Sequence, residues 1–144
     1  MKTILHEVRN KKKIKEKIIE TYPNISIVTL THNRYKFFDL SVFNYNNTNY
    51  PKEKIEWVIY DTSIDEEKVD KKLPKLSERE SQNIKYIHDT TKLSVGSKRN
   101  KAIEYCDNDI VIFMDDDDYY YENSITKRVT ELLNSNKQIV GCTI

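Results

Sequence analysis

Glycine is almost absent from this chain: Gly96 and Gly141 are the only two in 144 residues. Loops that wrap phosphate groups, such as the P-loop and the dinucleotide-binding turn, need several glycines at fixed spacing. Neither motif can be written with these two, which disfavours the ordinary kinases, GTPases and NAD-dependent enzymes. The acidic nucleophile motif of haloacid-type phosphatases is also absent after the first predicted strand.

Cysteine and excess charge are scarce as well. Cys106 and Cys142 form neither a metal-binding spacing nor a disulfide framework, so we expect reduced, buried thiols. The 24 basic residues nearly balance the 23 acidic ones. This balance is not the global charge of a nucleic-acid-binding protein, and we expect no nucleic-acid partner.

Long apolar runs are absent too. No run approaches the roughly 20 residues that span a bilayer, and residues 1–20 lack the apolar core of a signal peptide. We therefore expect a soluble, cytoplasmic protein without a transmembrane segment. The lysines of residues 11–17 could contact anionic lipid, but a solvated helix face is the favoured interpretation.

Apolar periodicity predicts a regular alternation of helices and strands. The predicted helices cover residues 7–20, 34–47, 97–106 and 122–135, with a short helix or loop at 65–76. The predicted strands cover residues 25–30, 55–61, 83–88, 109–114 and 138–144. This order indicates an α/β fold with a three-layer, Rossmann-like, mainly parallel sheet over residues 24–144. An N-terminal helical extension at residues 1–23 would precede it.

Polar clusters follow three of the predicted strands, at Thr31–Arg34, Asp61–Ser63 and Asp115–Asp118. Ligands of open parallel sheets bind at the carboxyl ends of the strands. We therefore expect the three clusters to form one site. The tyrosines after the last cluster, Tyr119–Tyr121, are expected to pack against the protein rather than to bind sugar.

Four consecutive aspartates follow directly on the fourth predicted strand. In extended chain Asp115 and Asp117 would point to one side, and Asp116 and Asp118 to the other. Two carboxylates roughly 4 Å apart repel by about 4 kcal/mol at an effective dielectric near 20, which a divalent cation would remove. Oxygen ligands favour Mg²⁺ or Mn²⁺ over zinc. A solvated acidic turn is the alternative, disfavoured by its place after a buried strand.

Other polar residues have both a binding and a structural interpretation. Lys98 and Arg99 open a predicted helix, where they could hold a diphosphate or simply be surface charge. Asp61 could accept a hydrogen bond from a base ring or form an Asx-turn. Asn33 could cap its helix, and His32 could pack or stack on a ligand.

In order and spacing, three segments resemble a family 2 glycosyltransferase. They read SIVTLTHNR, VIYDTS and SVGSKRNKAIEYCDNDIVIFMDDDDYY, and the resemblance runs from about Ile25 to Ile144. It implies a GT-A fold, a nucleotide-sugar donor, a divalent metal that is Mn²⁺ or Mg²⁺, and inversion at the anomeric carbon of the sugar.

The resemblance also implies roles for individual residues. Asp61 takes the place of the aspartate that reads the base, commonly uracil, and Arg99 lies in the family's RN pair near the diphosphate. Asp117 is the best metal ligand of the D-x-D motif, and Asp116 could reach the ribose. The predicted nucleotide-sugar contacts are Thr31, His32, Asn33, Asp61, Lys98, Arg99 and Asp116, and the predicted metal ligands are Asp115 and Asp117.

Two motifs depart from the family pattern. This chain has LTHN where the family usually has PTYN, and YDTS where it usually has DDGS. These departures leave the identity of the base and of the donor sugar undetermined. Family members also continue into an acceptor-binding half that carries the general base. We expect that half to be absent from these 144 residues, and no catalytic base is identified.

The leading prediction is a metal-dependent, inverting glycosyltransferase that uses a nucleotide sugar, with UDP favoured, and an acceptor hydroxyl. Self-association or a partner chain would then supply the acceptor side. The alternative is a truncated, non-catalytic module that binds a nucleotide sugar or a metal. A weaker alternative is a sugar-1-phosphate nucleotidyltransferase, which would need a glycine-rich loop after the first strand.

Overall fold

The fold is a four-stranded parallel sheet with helices on both faces, seen in a computed structural model that describes residues 21–141. The predicted N-terminal helix at residues 7–20 lies outside the described residues. The strand order is β3-β2-β1-β4, and every neighbouring pair is parallel. The strands are β1 (Ile25–Thr31), β2 (Ile55–Asp61), β3 (Ile84–His88) and β4 (Ile110–Phe113).

Four α-helices alternate with the strands, three of them in segments predicted as helices, whereas the short helix at Leu76–Ser81 begins at the end of the segment predicted as a short helix or loop. They are α1 (Asp39–Asn47), α2 (Leu76–Ser81), α3 (Val95–Ile103) and α4 (Ser124–Asn134). Helix α1 begins later than predicted because residues 35–38 form separate turns. A short 3₁₀ turn at Lys52–Lys54 precedes β2. Two more, at Asp65–Glu67 and Val69–Lys72, lie within the segment predicted as a short helix or loop.

Alternate residues of the central strands pack on opposite faces of the sheet, as the two-residue period of a strand requires. Ile27 and Trp57 belong to a core that also contains residues of α1 and α4. Val28 and Tyr60 belong to a second core, which Ala102 of α3 completes. The predicted three-layer α/β architecture is therefore confirmed.

The predicted fifth strand is wrong for the part of it that the structure describes. Residues 138–141 form no strand, and Ile139 is 86% exposed. An apolar run becomes a strand only where a neighbouring strand pairs with it, and no strand within residues 21–141 pairs with this segment. Residues 142–144 lie outside the described residues.

The helices of residues 21–141 offer no candidate for a membrane span: none of them is both long and apolar enough.

Candidate functional site

The carboxyl ends of the strands meet at one edge of the sheet, which we call the binding edge. Thr31, Asp61 and His88 are in register across β1, β2 and β3. Backbone hydrogen bonds continue the pairing beyond the strands, from Thr62 N to Thr31 O at 3.0 Å and from Asp89 N to Asp61 O at 2.9 Å. The polar clusters after β1 and β2 therefore lie side by side.

The segment after β1 is fastened to the segment after β2 by side chains. Asn33 has a left-handed backbone (φ 53°), its N–H donates to Ser63 Oγ at 2.7 Å, and its Oδ1 accepts from Ile64 N at 3.0 Å. It does not cap α1, whose N-cap is Phe38. His32 Nδ1 lies 2.9 Å from Thr62 O while its ring stays exposed. Asn33 thus shapes the edge, and His32 is accessible to a ligand.

Asp61 lies inside the protein, with none of its surface exposed. Its Oδ1 accepts from Ser63 N at 2.8 Å, and its Oδ2 accepts from Val69 N at 3.0 Å and Tyr86 OH at 2.8 Å. Burial, with this bond to Asp61, raises the pKa of Tyr86 far above its usual value. The structure therefore gives Asp61 the Asx-turn geometry, with its carboxylate turned to the protein's own donors.

A cleft of about 440 Å³ opens between the ends of β1, β2 and β3 and the start of α3. Its lining is His32, Thr62, Thr90, Thr91, Lys92, Leu93 and Lys98. Lys98 is half-buried and donates to Thr62 Oγ1 at 2.8 Å, while Ser94 caps α3 by accepting from Ser97 N at 3.2 Å. The cleft therefore combines two ammonium groups with hydroxyls, a lining suited to an anionic ligand.

The acid turn, residues 115–118, borders the same edge. Asp116 and Asp117 lie in a turn, so the side-to-side alternation expected of extended chain does not hold here. Asp115 pairs with Arg99 and Asp117 with Arg34, each at 3.4 Å, and both carboxylates are about half exposed. Ion pairs this long and this exposed contribute little stability, so both carboxylates can exchange their partners.

Asp116 differs from its neighbours because one of its oxygens is enclosed. Its Oδ2 and the nearby Thr31 Oγ1 are buried and have no partner at hydrogen-bonding geometry. Burial raises the pKa of Asp116, and the Thr31 hydroxyl and the Arg34 guanidinium oppose the rise. Buried polar atoms normally have a partner, so this pair of oxygens marks a place where a ligand would supply one.

Helix α1 holds the acid turn through a residue that the sequence analysis missed. Asn44 is buried, donates from Nδ2 to Asp118 O at 2.8 Å and accepts at Oδ1 from Tyr120 N at 3.1 Å. Tyr120 in turn accepts from Asp115 N at 2.9 Å through its hydroxyl. A signal was present, because Asn44 interrupts the apolar positions of a predicted helix.

The acid turn fits a divalent cation only as a shared site. Among residues 21–141 no three His, Cys, Asp or Glu side chains come together to hold an ion. Asp115 and Asp117 offer hard oxygen ligands and are accessible. Mg²⁺ commonly uses one or two carboxylates and completes its shell with water and substrate phosphates, which is the arrangement these two residues could serve.

Solved structures with the same fold include a mannosyltransferase and S. aureus TarS. The mannosyltransferase PcManGT from Pyrobaculum calidifontis, in complex with GDP-Man and Mn²⁺, has a TM-score of 0.66 and 18% identity over 91% of this chain and 40% of that chain. S. aureus TarS 1–349, in complex with UDP-GlcNAc, has a TM-score of 0.60 and 22% identity over 76% of this chain and 31% of that chain. This chain therefore spans less than half the length of either protein.

A sequence model of one family also matches the chain, although no curated protein does. The family is glycosyl transferase family 2, and the match covers residues 26–144. These residues include all of the sheet except Ile25, and they include the binding edge; the GT-A-like fold agrees with the match. The chain therefore belongs to glycosyl transferase family 2.

Proposed function

We propose that this chain is the donor-binding half of a metal-dependent, inverting glycosyltransferase, with the donor-binding domain at residues 24–144. It would take a sugar from a nucleotide sugar and transfer it to an acceptor hydroxyl. One observation carries the proposal: a family 2 domain brings a cationic cleft and an acid turn together at a single edge of its sheet.

The nucleotide would lie along the cleft, with its diphosphate between the two charged regions. Thr31, His32 and Asn33 would line the nucleoside, and Asp116 would accept from a ribose hydroxyl at its enclosed oxygen. Lys98 and Arg99 would hold the diphosphate. Lys98 already lines the cleft, and Arg99 makes only a long ion pair, 3.4 Å, with Asp115. A phosphate would replace Asp115 as the closer partner of Arg99.

The metal would be Mn²⁺ or Mg²⁺, held by Asp115 and Asp117 and by the donor's phosphates. Bound there, it would neutralise charge on the departing diphosphate. The acid turn itself would orient the donor, because Asn44 and Tyr120 fix its backbone. Inversion requires the acceptor hydroxyl to attack the anomeric carbon from the face opposite the diphosphate.

The group that deprotonates the acceptor hydroxyl has no assigned residue in this chain. We propose that the acceptor side, with its general base, is supplied from outside residues 24–144 by a further segment, a partner chain or a second copy. The coverage supports this proposal, because the chain corresponds to 40% of the mannosyltransferase PcManGT and 31% of TarS 1–349.

Thermal unfolding with nucleotides tests the proposal directly. UDP with Mn²⁺ should raise the Tm by several degrees, because a ligand that binds only the folded state stabilises it. UDP alone should act weakly. GDP is the matched comparison, since the two solved relatives were bound to GDP-Man and UDP-GlcNAc. If neither nucleotide with Mn²⁺ or Mg²⁺ changes the Tm, the proposal is wrong.

The second candidate is a non-catalytic binding module. It is favoured by the ion pairs of Asp115 with Arg99 and of Asp117 with Arg34, because these arginines compensate both carboxylates without a metal. In that case nucleotide and metal would stabilise the chain without any turnover. Release of UDP from a panel of UDP-sugars, measured with and without added acceptor and partner chain, separates the two. Turnover under any of these conditions would support the enzyme.

The Asp61→Asn variant tests how Asp61 contributes to base recognition. We propose that Asp61 reads the base, which requires the enclosed carboxylate to become accessible. Affinity for UDP should then fall more than affinity for inorganic diphosphate, as isothermal titration would show. Equal losses for both ligands would mean that Asp61 only holds its loop through Ser63, Val69 and Tyr86.

A further inference from the structure

Three aromatic rings cluster on the surface beside the acid turn. Phe43 of α1 stacks on Tyr119, with 6.3 Å between ring centroids and 25° between ring planes. Tyr119 meets Tyr121 edge to face, at 5.3 Å and 81°. We call these three residues the aromatic cluster. Its rings form an angled platform with one broad face and one upright wall.

The rings of the aromatic cluster are open to solvent rather than packed into the core. Phe43 is 50% exposed, Tyr119 54% and Tyr121 72%. Tyr120, between the two tyrosines, does the opposite: it packs against the core and lies under the Arg128 guanidinium, 4.9 Å from ring centroid to Cζ. The expectation that all three tyrosines pack is therefore wrong for Tyr119 and Tyr121. Contiguous exposed apolar surface of this kind marks an interaction site.

The cluster is joined to the proposed donor site by the backbone. Tyr119 directly follows Asp118, and Phe43 directly precedes Asn44, the residue that holds the turn. The same amide fixes Tyr120 between the two exposed tyrosines. A molecule lying on the platform would therefore sit at the border of the acid turn.

We propose that the aromatic cluster binds the acceptor and that this acceptor is a carbohydrate. A pyranose presents apolar C–H groups on its faces and hydroxyls around its rim. The faces match the electron-rich faces of aromatic rings. The hydroxyls match the polar side chains around the cluster, among which Asn46, Asp118 and Glu122 are exposed. The inference rests on the proposed function, since only a glycosyltransferase needs an acceptor at this place.

Saturation-transfer NMR on the full chain tests the inference, with cellotetraose, chitotetraose and maltotetraose as probes. At least one probe should bind, with the strongest transfer to protons on ring carbons. The double variant Tyr119→Ser, Tyr121→Ser should weaken that binding roughly tenfold or more, given the worth of two aromatic contacts. The matched control is Tyr105→Ser, which removes an exposed ring near the opposite edge of the sheet.

Each other outcome has a defined meaning. Absence of binding by all three probes, or equal binding by the double variant, overturns the inference. So does a sedimentation coefficient that falls in the double variant alone, since the cluster would then be a contact between copies. The response of the Tm to UDP and Mn²⁺ should survive the double variant. If the parent chain lacks that response but still binds sugar, the donor proposal fails and the sugar site stands.

Discussion

Two acids with enclosed carboxylate oxygens lie at opposite edges of the same sheet and have opposite surroundings. Glu56 lies at the edge where the strands begin and is 1% exposed. Its Oε2 accepts from Ser26 Oγ and from Asp107 N at 2.9 Å. Its Oε1 lies 2.5 Å from Lys85 Nζ, and the ammonium compensates its charge. This carboxylate is complete without any ligand.

At the binding edge, the enclosed Oδ2 of Asp116 has no partner at hydrogen-bonding geometry, and the Thr31 hydroxyl and the Arg34 guanidinium only partly oppose the rise that burial causes in its pKa. Its neighbours are Asp115 and Asp117, which add negative charge, and Arg34, whose charge acts on Asp116, pairs with Asp117. A buried acid with every partner in place stabilises a fold, whereas one left short of partners marks a binding site. The sheet is thus closed at one edge and open to a ligand at the other.

Glu56→Gln should have the largest effect and should be confined to stability. The neutral amide would accept from Ser26 Oγ and Asp107 N without a charge and would turn a donor toward the Lys85 ammonium, so the free energy of unfolding should fall by about 2–3 kcal/mol. Urea denaturation measures this loss. Nucleotide affinity should be unchanged, because the network lies at the far edge from the cleft. Glu53→Gln, at an exposed acid in the 3₁₀ turn before β2, is the control and should cost almost nothing. A parallel loss of nucleotide affinity in Glu56→Gln would break the comparison.

Asp117→Asn should show the reverse pattern. We expect UDP affinity in Mn²⁺ to fall about tenfold or more, because the charge of its ligands governs how tightly a site holds a divalent ion. Stability should stay within about 0.5 kcal/mol of the parent, since the pair with Arg34 is exposed. Calorimetric titration and urea denaturation measure the two quantities. Asp109→Asn, at an exposed acid just before β4, should leave both unchanged. Equal UDP affinity in parent and variant would remove Asp117 from the metal site.

Asn44→Asp should lower both the stability of the chain and its affinity for UDP, because Asn44 holds the acid turn at the binding edge. The new carboxylate can still accept from Tyr120 N, but it faces Asp118 O with an acceptor where the parent has a donor. We expect a loss of about 1–2 kcal/mol in stability and a smaller loss of UDP affinity in Mn²⁺ than for Asp117→Asn. Asn46→Asp adds the same charge at an exposed position of α1 and should change neither. If both variants behave alike, charge and not the position of the turn explains the result.

The same contrast shows what the sequence could and could not predict. Apolar runs predicted β1 to β4, and the ends of those strands predicted the binding edge, because both follow from local pattern. The role of Glu56 could not be predicted, since its partners Ser26 and Asp107 come from other parts of the chain. The predicted fifth strand failed for a related reason, because a strand depends on a neighbour that its own residues do not specify.

Within the candidate site, residue type predicted position better than it predicted surroundings. Lys98 and His32 line the cleft, as their places in the chain suggested. Asp61 was equally well placed, yet the loop that follows it folds back and donates from Val69 N to its carboxylate. Which side chain faces a ligand and which faces the loop depends on long-range folding of the connections. The assignments of individual ligand contacts therefore stay predictions.

The smallest expected effect concerns pH and the closed edge. Burial alone would lower the pKa of Lys85, but its contacts with the Asp107 and Glu56 carboxylates outweigh burial and raise it. Because the pKa of Lys85 is higher in the folded than in the unfolded chain, its ion pairs stabilise the fold fully at a pH below the lysine pKa of the unfolded chain, about 10.4. This stabilisation is lost as the pH rises through the pKa of Lys85 in the folded chain.

The difference in free energy of unfolding between the parent and Lys85→Met should therefore be constant from neutral pH to about pH 10 and should shrink above it. Urea denaturation across that range measures it, with Lys71→Met, at an exposed lysine, as the control. The effect is small because the Lys85 side chain is 35% exposed and partly screened by solvent. A difference that persists at high pH would mean that Lys85 stabilises through its methylene groups. In that case Ser26 and the Asp107 N–H alone compensate Glu56, and the closed edge depends on hydrogen bonds rather than on an ion pair.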